Sequence, residues 1–367
     1  MKKGLHLGRI SWRLAICGLL LFWIFNLIFV NEGRSAWQRQ GLNWEQLSRA
    51  QQWHIAWTEG PRELWNTVRL VEPIALAISL VFMGLTLILG VFRWQMVLRV
   101  QGLALPLSRA MEISFVAHFF NSFLLGSTGG DLIRAYYAAR ETHHKKTEAV
   151  VAVLVDRLLG LFVMLLFACG MMLPNLSLLL AHRRLAALSW LIVAMMFGCG
   201  LVVILSFWGG LSRTWPEARS WLRRLPKGDL LERCLGACRQ FGRERVFLIK
   251  ALGLSMALNV ICVLQILSLA WGLHLKIAPL ALFVIVPMII CISALPITPS
   301  GLGVRENLYV LMLAAPEINV AATQALSLSL LAYAGSLIWS LIGGLVYLSL
   351  KESHHLAEVT KADRTAD

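Results

Sequence analysis

The sequence predicts an all-α polytopic membrane protein with about six full transmembrane helices and two re-entrant helical hairpins in an inverted repeat. Three observations predict it. Uncharged apolar stretches at 14–30, 73–92 and 185–208 run 17 residues or more. A membrane-crossing helix needs roughly 20 such residues, because lipid offers its backbone polar groups no partner outside the helix. The composition agrees: 58% of the 367 residues are hydrophobic and 15% charged, against about 45–50% and about 25% in a soluble domain. Third, two apolar arms end in glycine-rich polar sequence, Gly126-Ser127-Thr128-Gly129-Gly130-Asp131 and Thr298-Pro299-Ser300-Gly301-Leu302-Gly303.

The formal charge of +14, from 34 Lys+Arg against 20 Asp+Glu, does not indicate nucleic acid. The basic residues cluster in loops beside apolar spans, where orientation and anionic headgroups call for them. The seven cysteines mostly lie within apolar runs, with no CxxC, HExxH or Cys/His ligand spacing. No metal, disulfide framework or cofactor is expected.

Taken in order, the first 13 residues carry four Lys/Arg and no acid, which places the N-terminus in the cytoplasm. The first span, 14–30, exceeds the 7–15 residues of a signal-peptide core and reads as retained. Segment 31–72 has five Arg and five Glu, and tryptophans 37, 44, 53, 57 and 65. It reads as an outer segment with a helix lying at the interface, where indole rings are favoured. Span 73–92 returns to a basic inner segment, 93–109, whose Arg93-Trp94 reads as interfacial anchoring. Spans 149–172, 185–208, 249–272 and 322–350 follow. Segment 209–247 is basic, with Trp215, Trp221, Leu222 and Leu231 among its apolar residues, and reads as a cytoplasmic amphipathic segment. Residues 351–367 form a short cytoplasmic tail.

The stretches 110–126 and 280–298 read as arms of re-entrant hairpins. The first dips in from the cytoplasm, turns near 127–131 and returns along 132–140; the second enters from outside and turns at 299–303. Gly130 and Arg134 stand four apart, as do Gly301 and Arg305. Each hairpin is flanked by long spans, so 73–172 and 249–350 form two similar units of opposite orientation, the inverted-repeat arrangement of secondary transporters. Together they make one transmembrane domain over 1–350. A half-helix that starts within the membrane offers unsatisfied N–H groups and a positive dipole end. Glycines let that backbone approach a ligand, and a nearby Arg adds a charged fork matched to phosphate.

Asp156 and Arg157 lie about eight residues inside the span that begins near 149, roughly 12 Å along it. Charges at such depth are functional candidates, and are expensive unless paired or wet. Asp156 is expected in the protein interior, facing Arg134 or Arg305, with Arg134 favoured. Arg305 and Glu306 open the second return arm and could also pair locally.

The pattern Asn121…Gly129-Gly130-Asp131…Arg134, then Asp156-Arg157…Gly160, then Leu295-Pro296…Gly301-Leu302-Gly303…Arg305-Glu306 resembles the lysylphosphatidylglycerol synthase transmembrane-region family, also called flippase-like proteins. The resemblance covers roughly 10–350. It departs at Ser127-Thr128, where family members often carry a proline before the glycines. It implies an inner-membrane protein that moves lipids between leaflets. Larger relatives carry a soluble aminoacyl-transferase domain after the membrane part, whereas 351–367 is too short for a domain of 50–250 residues. Lysyl transfer by this chain is therefore not expected.

The site expected to hold a lipid headgroup comprises Gly129, Gly130, Asp131, Arg134, Asp156, Arg157, Gly301, Gly303, Arg305 and Glu306, with Asn121, Ser127 and Thr128 beside it. The expected partner is a membrane phospholipid or other polar lipid, moved without ATP hydrolysis by this chain, since no phosphate-binding GxxxxGK[ST] loop occurs. The alternatives are a membrane-embedded lipid-modifying enzyme using Asp131, Asp156 or Glu306, or an accessory subunit of a lipid-synthesising enzyme.

Overall fold

A computed structural model describes residues 43–69, 71–123, 129–141, 146–207, 244–295 and 303–349 continuously, with residue 301 and scattered positions in 22–41 and 238–242. Among the described residues there is no strand. Most of the expected first span, most of the amphipathic segment and the tail lie outside them.

Helix α1, Arg49–Arg69, carries Trp53 and Trp65 largely exposed, as a helix lying at an interface would. Trp57 instead donates to Asn26 Oδ1 at 2.9 Å. The first unit follows as α2, Pro73–Val100, α3, Leu107–Phe123, α4, Gly129–Glu141, and α5, Lys146–Met172. A short α6, Leu176–Ala181, and α7, Arg183–Phe207, lead towards the second unit. That unit is α8, Arg245–Gly272, α9, Pro279–Ser293, α10, Val304–Leu313, and α11, Ala322–Ser349.

Among the described residues five helices, α2, α5, α7, α8 and α11, are long and apolar enough to cross a membrane. The other four of the two units are shorter. The 17 residues of α3 and 15 of α9 rise about 25 and 22 Å, less than the ~30 Å hydrocarbon core. The 13 of α4 and 10 of α10 rise only about 20 and 15 Å. Proline at the first position of α2 and α9 suits a helix start, where its missing N–H is not needed.

The two units pack in matching fashion. Their leading helices α2 and α8 form the most extensive helix pair. The first arm α3 lies on α11 of the other unit, as α9 lies on α5. Each return arm packs on its own first arm and on the long helix after it, α4 on α3 and α5, α10 on α9 and α11.

Apolar packing divides into two cores. One gathers Trp94, Leu98, Ile113, Phe119 and Val155 around α2, α3 and the first half of α5. The other gathers Leu165, Leu269, Ile285, Met288 and Leu313 around α9 and the helix ends about it. Polar links cross between units: the Trp339 indole donates to Leu80 O at 3.0 Å, and the Glu72 amide to Gly272 O at 3.0 Å.

Candidate functional site

The first unit's charges are assembled around α5. Asp156 is 2% exposed. The Arg93 guanidinium grips it from α2 with two bonds, Nε–Oδ1 at 2.8 Å and Nη2–Oδ2 at 3.3 Å, and reaches Ser255 Oγ on α8 at 3.2 Å. Arg134 approaches the same carboxylate from α4, Nη1–Oδ2 at 3.6 Å, and stacks over the Trp94 ring at 5.2 Å. Two positive charges on one carboxylate satisfy the requirement that a buried ion be paired and hydrogen-bonded.

Arg93 corrects the sequence reading. It is not an interfacial anchor: α2 continues to Val100, so Arg93 lies within the helix. The buried acid opposite it and the fork geometry of the guanidinium hold it there. Arg134 is a partner of Asp156 as expected, though Arg93 makes the shorter bonds.

On the adjacent position of α5, Arg157 pairs with Asp131 Oδ2 on α4 at 2.5 Å. The N-terminus of α4 is held by the first arm, because the Gly130 amide donates to Asn121 Oδ1 at 2.7 Å. A side chain at 130 would run into the Ala117 carbonyl and Asn121. Gly130→Ala is therefore expected to destabilise the fold by about 1–3 kcal/mol, the usual cost of overpacking. The check is thermal unfolding of detergent-purified protein; an unchanged melting temperature would mean the two arms do not approach so closely.

In the second unit, Gly301 and Gly303 adopt φ of 71° and 82°, a region that side chains disfavour. The Gly303 amide donates to Glu306 Oε2 at 2.5 Å, so the acid caps its own helix. Arg305 bonds Glu306 Oε1 at 2.7 Å and Ser329 Oγ at 3.2 Å, and stacks over Tyr333 at 4.6 Å. The local Arg305–Glu306 pair is thus formed, and Asp156 faces Arg93 and Arg134.

These elements enclose one cavity of about 720 Å³, within the roughly 300–1,000 Å³ of ligand sites. Arg93, Asp131, Arg157, Gly301 and Arg305 line it, with Asn121. The two glycine-bearing arms thus reach a common space. Arg134, Asp156 and Glu306 are not among the lining residues; Asp156 holds Arg93 and Glu306 holds Arg305 in place, while Arg134 pairs with Asp156. The lining also carries apolar residues, Leu154, Leu161, Met164, Met195 and Leu258; Leu154 and Leu161 stand about one turn either side of Arg157 on α5, and Leu154 is 59% exposed. Ser127 and Thr128 lie outside the described residues, and the expected turns at 127–131 and 299–303 do so in part.

Counted over these ion pairs, Arg93, Arg134, Arg157 and Arg305 stand against Asp131, Asp156 and Glu306, leaving one positive charge. Such an arrangement can hold a monoanion such as a phosphodiester. Among the described residues no group of His, Cys, Asp and Glu is placed to hold a metal ion.

Sequence reasoning missed several lining residues. His118 bonds Ser336 O at 3.2 Å, and Ser255 and Asn259 lie four apart on α8, facing the cavity. Tyr333 and Ser336 line it from α11, and Ser329, one turn before Tyr333, is on the same face behind them. Polar residues at helical spacing inside apolar spans were the available signal.

Residues 47–344 match the family model of the lysylphosphatidylglycerol synthase TM region. The chain is also similar to a UPF0104 membrane protein of Methanothermobacter thermautotrophicus, 25% identical over 299 residues that cover 74% of this chain and 83% of that protein.

Proposed function

As this chain belongs to the lysylphosphatidylglycerol synthase transmembrane-region family, we propose that it is a lipid translocase of the cell inner membrane, carrying an anionic or phosphate-containing polar lipid between leaflets. The observation that carries this reading is the shared cavity, lined by arginines from both units together with apolar side chains. The charged end accepts the phosphate, while Leu154, Met164 and Leu258 accompany the start of the acyl chains. Matched packing of the units supports an inverted repeat, in which the cavity is presented to each leaflet in turn. Both termini then face the cytoplasm, as the basic first 13 residues favour.

The test is reconstitution of purified protein into vesicles holding fluorescent phosphatidylglycerol in both leaflets, followed by a membrane-impermeant quencher. Translocation is expected to bleach nearly all the fluorescence, where protein-free vesicles keep the inner half. A residual half in both would refute the reading. A chemically altered lipid recovered from the vesicles would favour a lipid-modifying enzyme instead.

A further inference from the structure

The two return arms carry an acid in corresponding places, and the acids are unequally held. Glu306, three residues beyond its helix cap, accepts from the Gly303 amide, Arg305 and Ser329 Oγ at 2.5, 2.7 and 3.5 Å. Asp131 is likewise in the first turn of α4, but its ion pair runs across to Arg157 on α5. Its buried second oxygen, Oδ1, has no hydrogen-bond partner among the described residues. Both members of this pair line the cavity, whereas Glu306 does not. Asp131 is therefore the one acid of the three that lines the cavity together with its counter-ion.

We propose that Asp131 is a proton-exchanging residue: a lipid phosphate takes over Arg157, and the released Asp131 carboxylate binds a proton from the water of the cavity. This rests on the translocase reading and adds proton-coupled movement to it. A carboxylate that loses its cation inside a helix bundle faces a desolvation cost that protonation removes. The acid form also offers an O–H donor, which the incoming phosphate can accept.

The surroundings of Asp131 leave it suited to this exchange. Across α5 stand Arg157 and Asp156, on its own helix Arg134, and from α3 His118 lines the same cavity. Arg93 and Arg134 are committed to Asp156. Arg305 lines the cavity as well, but its acid, Glu306, is also held by the Gly303 amide and Ser329 Oγ. Arg109, Glu112 and Glu141 pair among themselves at the far ends of α3 and α4. A phosphodiester monoanion and one proton together carry no net charge, so a coupled cycle is electroneutral. Its drive is then the pH difference and not the membrane potential.

The experiment mixes detergent-purified protein with short-chain phosphatidylglycerol in weak buffer, recording bound lipid and proton uptake together. Wild type is expected to take up close to one proton per bound lipid near neutral pH. Asp131→Asn is expected to take up none, and Asp131→Glu to restore uptake. Lipid binding without proton uptake in wild type overturns this inference and leaves the translocase reading standing. Undiminished uptake in Asp131→Asn also overturns it. Absence of any lipid binding to folded wild type overturns both readings. Should Asp131→Asn fail to fold, uptake in Arg157→Lys decides: it is expected to persist per bound lipid, and its loss overturns the inference.

Discussion

Asp156→Asn is expected to cost the protein about 3–5 kcal/mol of stability, the range for removing one partner of a buried ion pair. The carboxylate is 2% exposed and holds Arg93 and Arg134 at once. Asparagine keeps the shape and some hydrogen bonding but leaves two guanidinium charges facing each other without an anion. Arg93→Gln is expected to cost less, because Arg134 then remains on Asp156. Arg134→Gln is expected to cost less again, since the 3.6 Å contact it removes is the weaker one. Adding Arg93→Gln to Asp156→Asn should recover part of the loss, as the double change removes one of the stranded charges. Thermal unfolding in detergent ranks all four. If Asp156→Asn melts with wild type, the buried triad does not hold α2, α4 and α5 of the first unit together.

The second large effect falls on ligand affinity. Arg157→Gln and Arg305→Gln each remove a charge-assisted contact to phosphate worth roughly 1.5–3 kcal/mol, a loss of about ten-fold or more in affinity. Arg157→Lys and Arg305→Lys keep the charge but lose the planar fork, and are expected to fall between. Arg134→Gln is the contrast. Its guanidinium stands behind the lining, so it should lower stability more than affinity. Titration of the folded variants with short-chain phosphatidylglycerol, beside their melting temperatures, separates the two effects. Unchanged affinity in both Gln variants at 157 and 305 would sink the headgroup assignment. So would a drop at Arg134 equal to theirs.

Much of this protein was legible in the linear chain. The long spans follow from local transfer energetics: about 20 apolar residues cannot leave lipid-exposed backbone unpaired, so they become helices wherever they occur. The expected spans beginning at 73, 149, 185, 249 and 322 correspond to α2, α5, α7, α8 and α11, whose ends moved by a few residues. The largest shift was at α2, which runs to Val100 and not to 92. Hydropathy stops at the first charge, whereas a helix continues while its charges find partners. Glycine and proline punctuation is also local, and it separated α3 from α4 and α9 from α10.

Pairing was decided only by the tertiary structure. Asp156 stood out from its depth alone, but Arg93, 63 residues earlier, carried nothing to distinguish it from an anchor at a helix end. Which arginine reaches which acid depends on how α2, α4 and α5 are rotated about their axes and where they cross. Those quantities come from the fit of Trp94, Val155 and their neighbours in the core, summed over many weak contacts. The same holds for Arg134, read from its place beside a glycine turn, and Arg157, read from its depth in a span, both of which the sequence offers as headgroup ligands. Packing places one in the cavity lining and the other behind it. The chain's composition and periodicity thus determined that it lives in a membrane and where its helices break. Long-range packing, invisible to any local pattern, decided which charges line the cavity and which stand behind it.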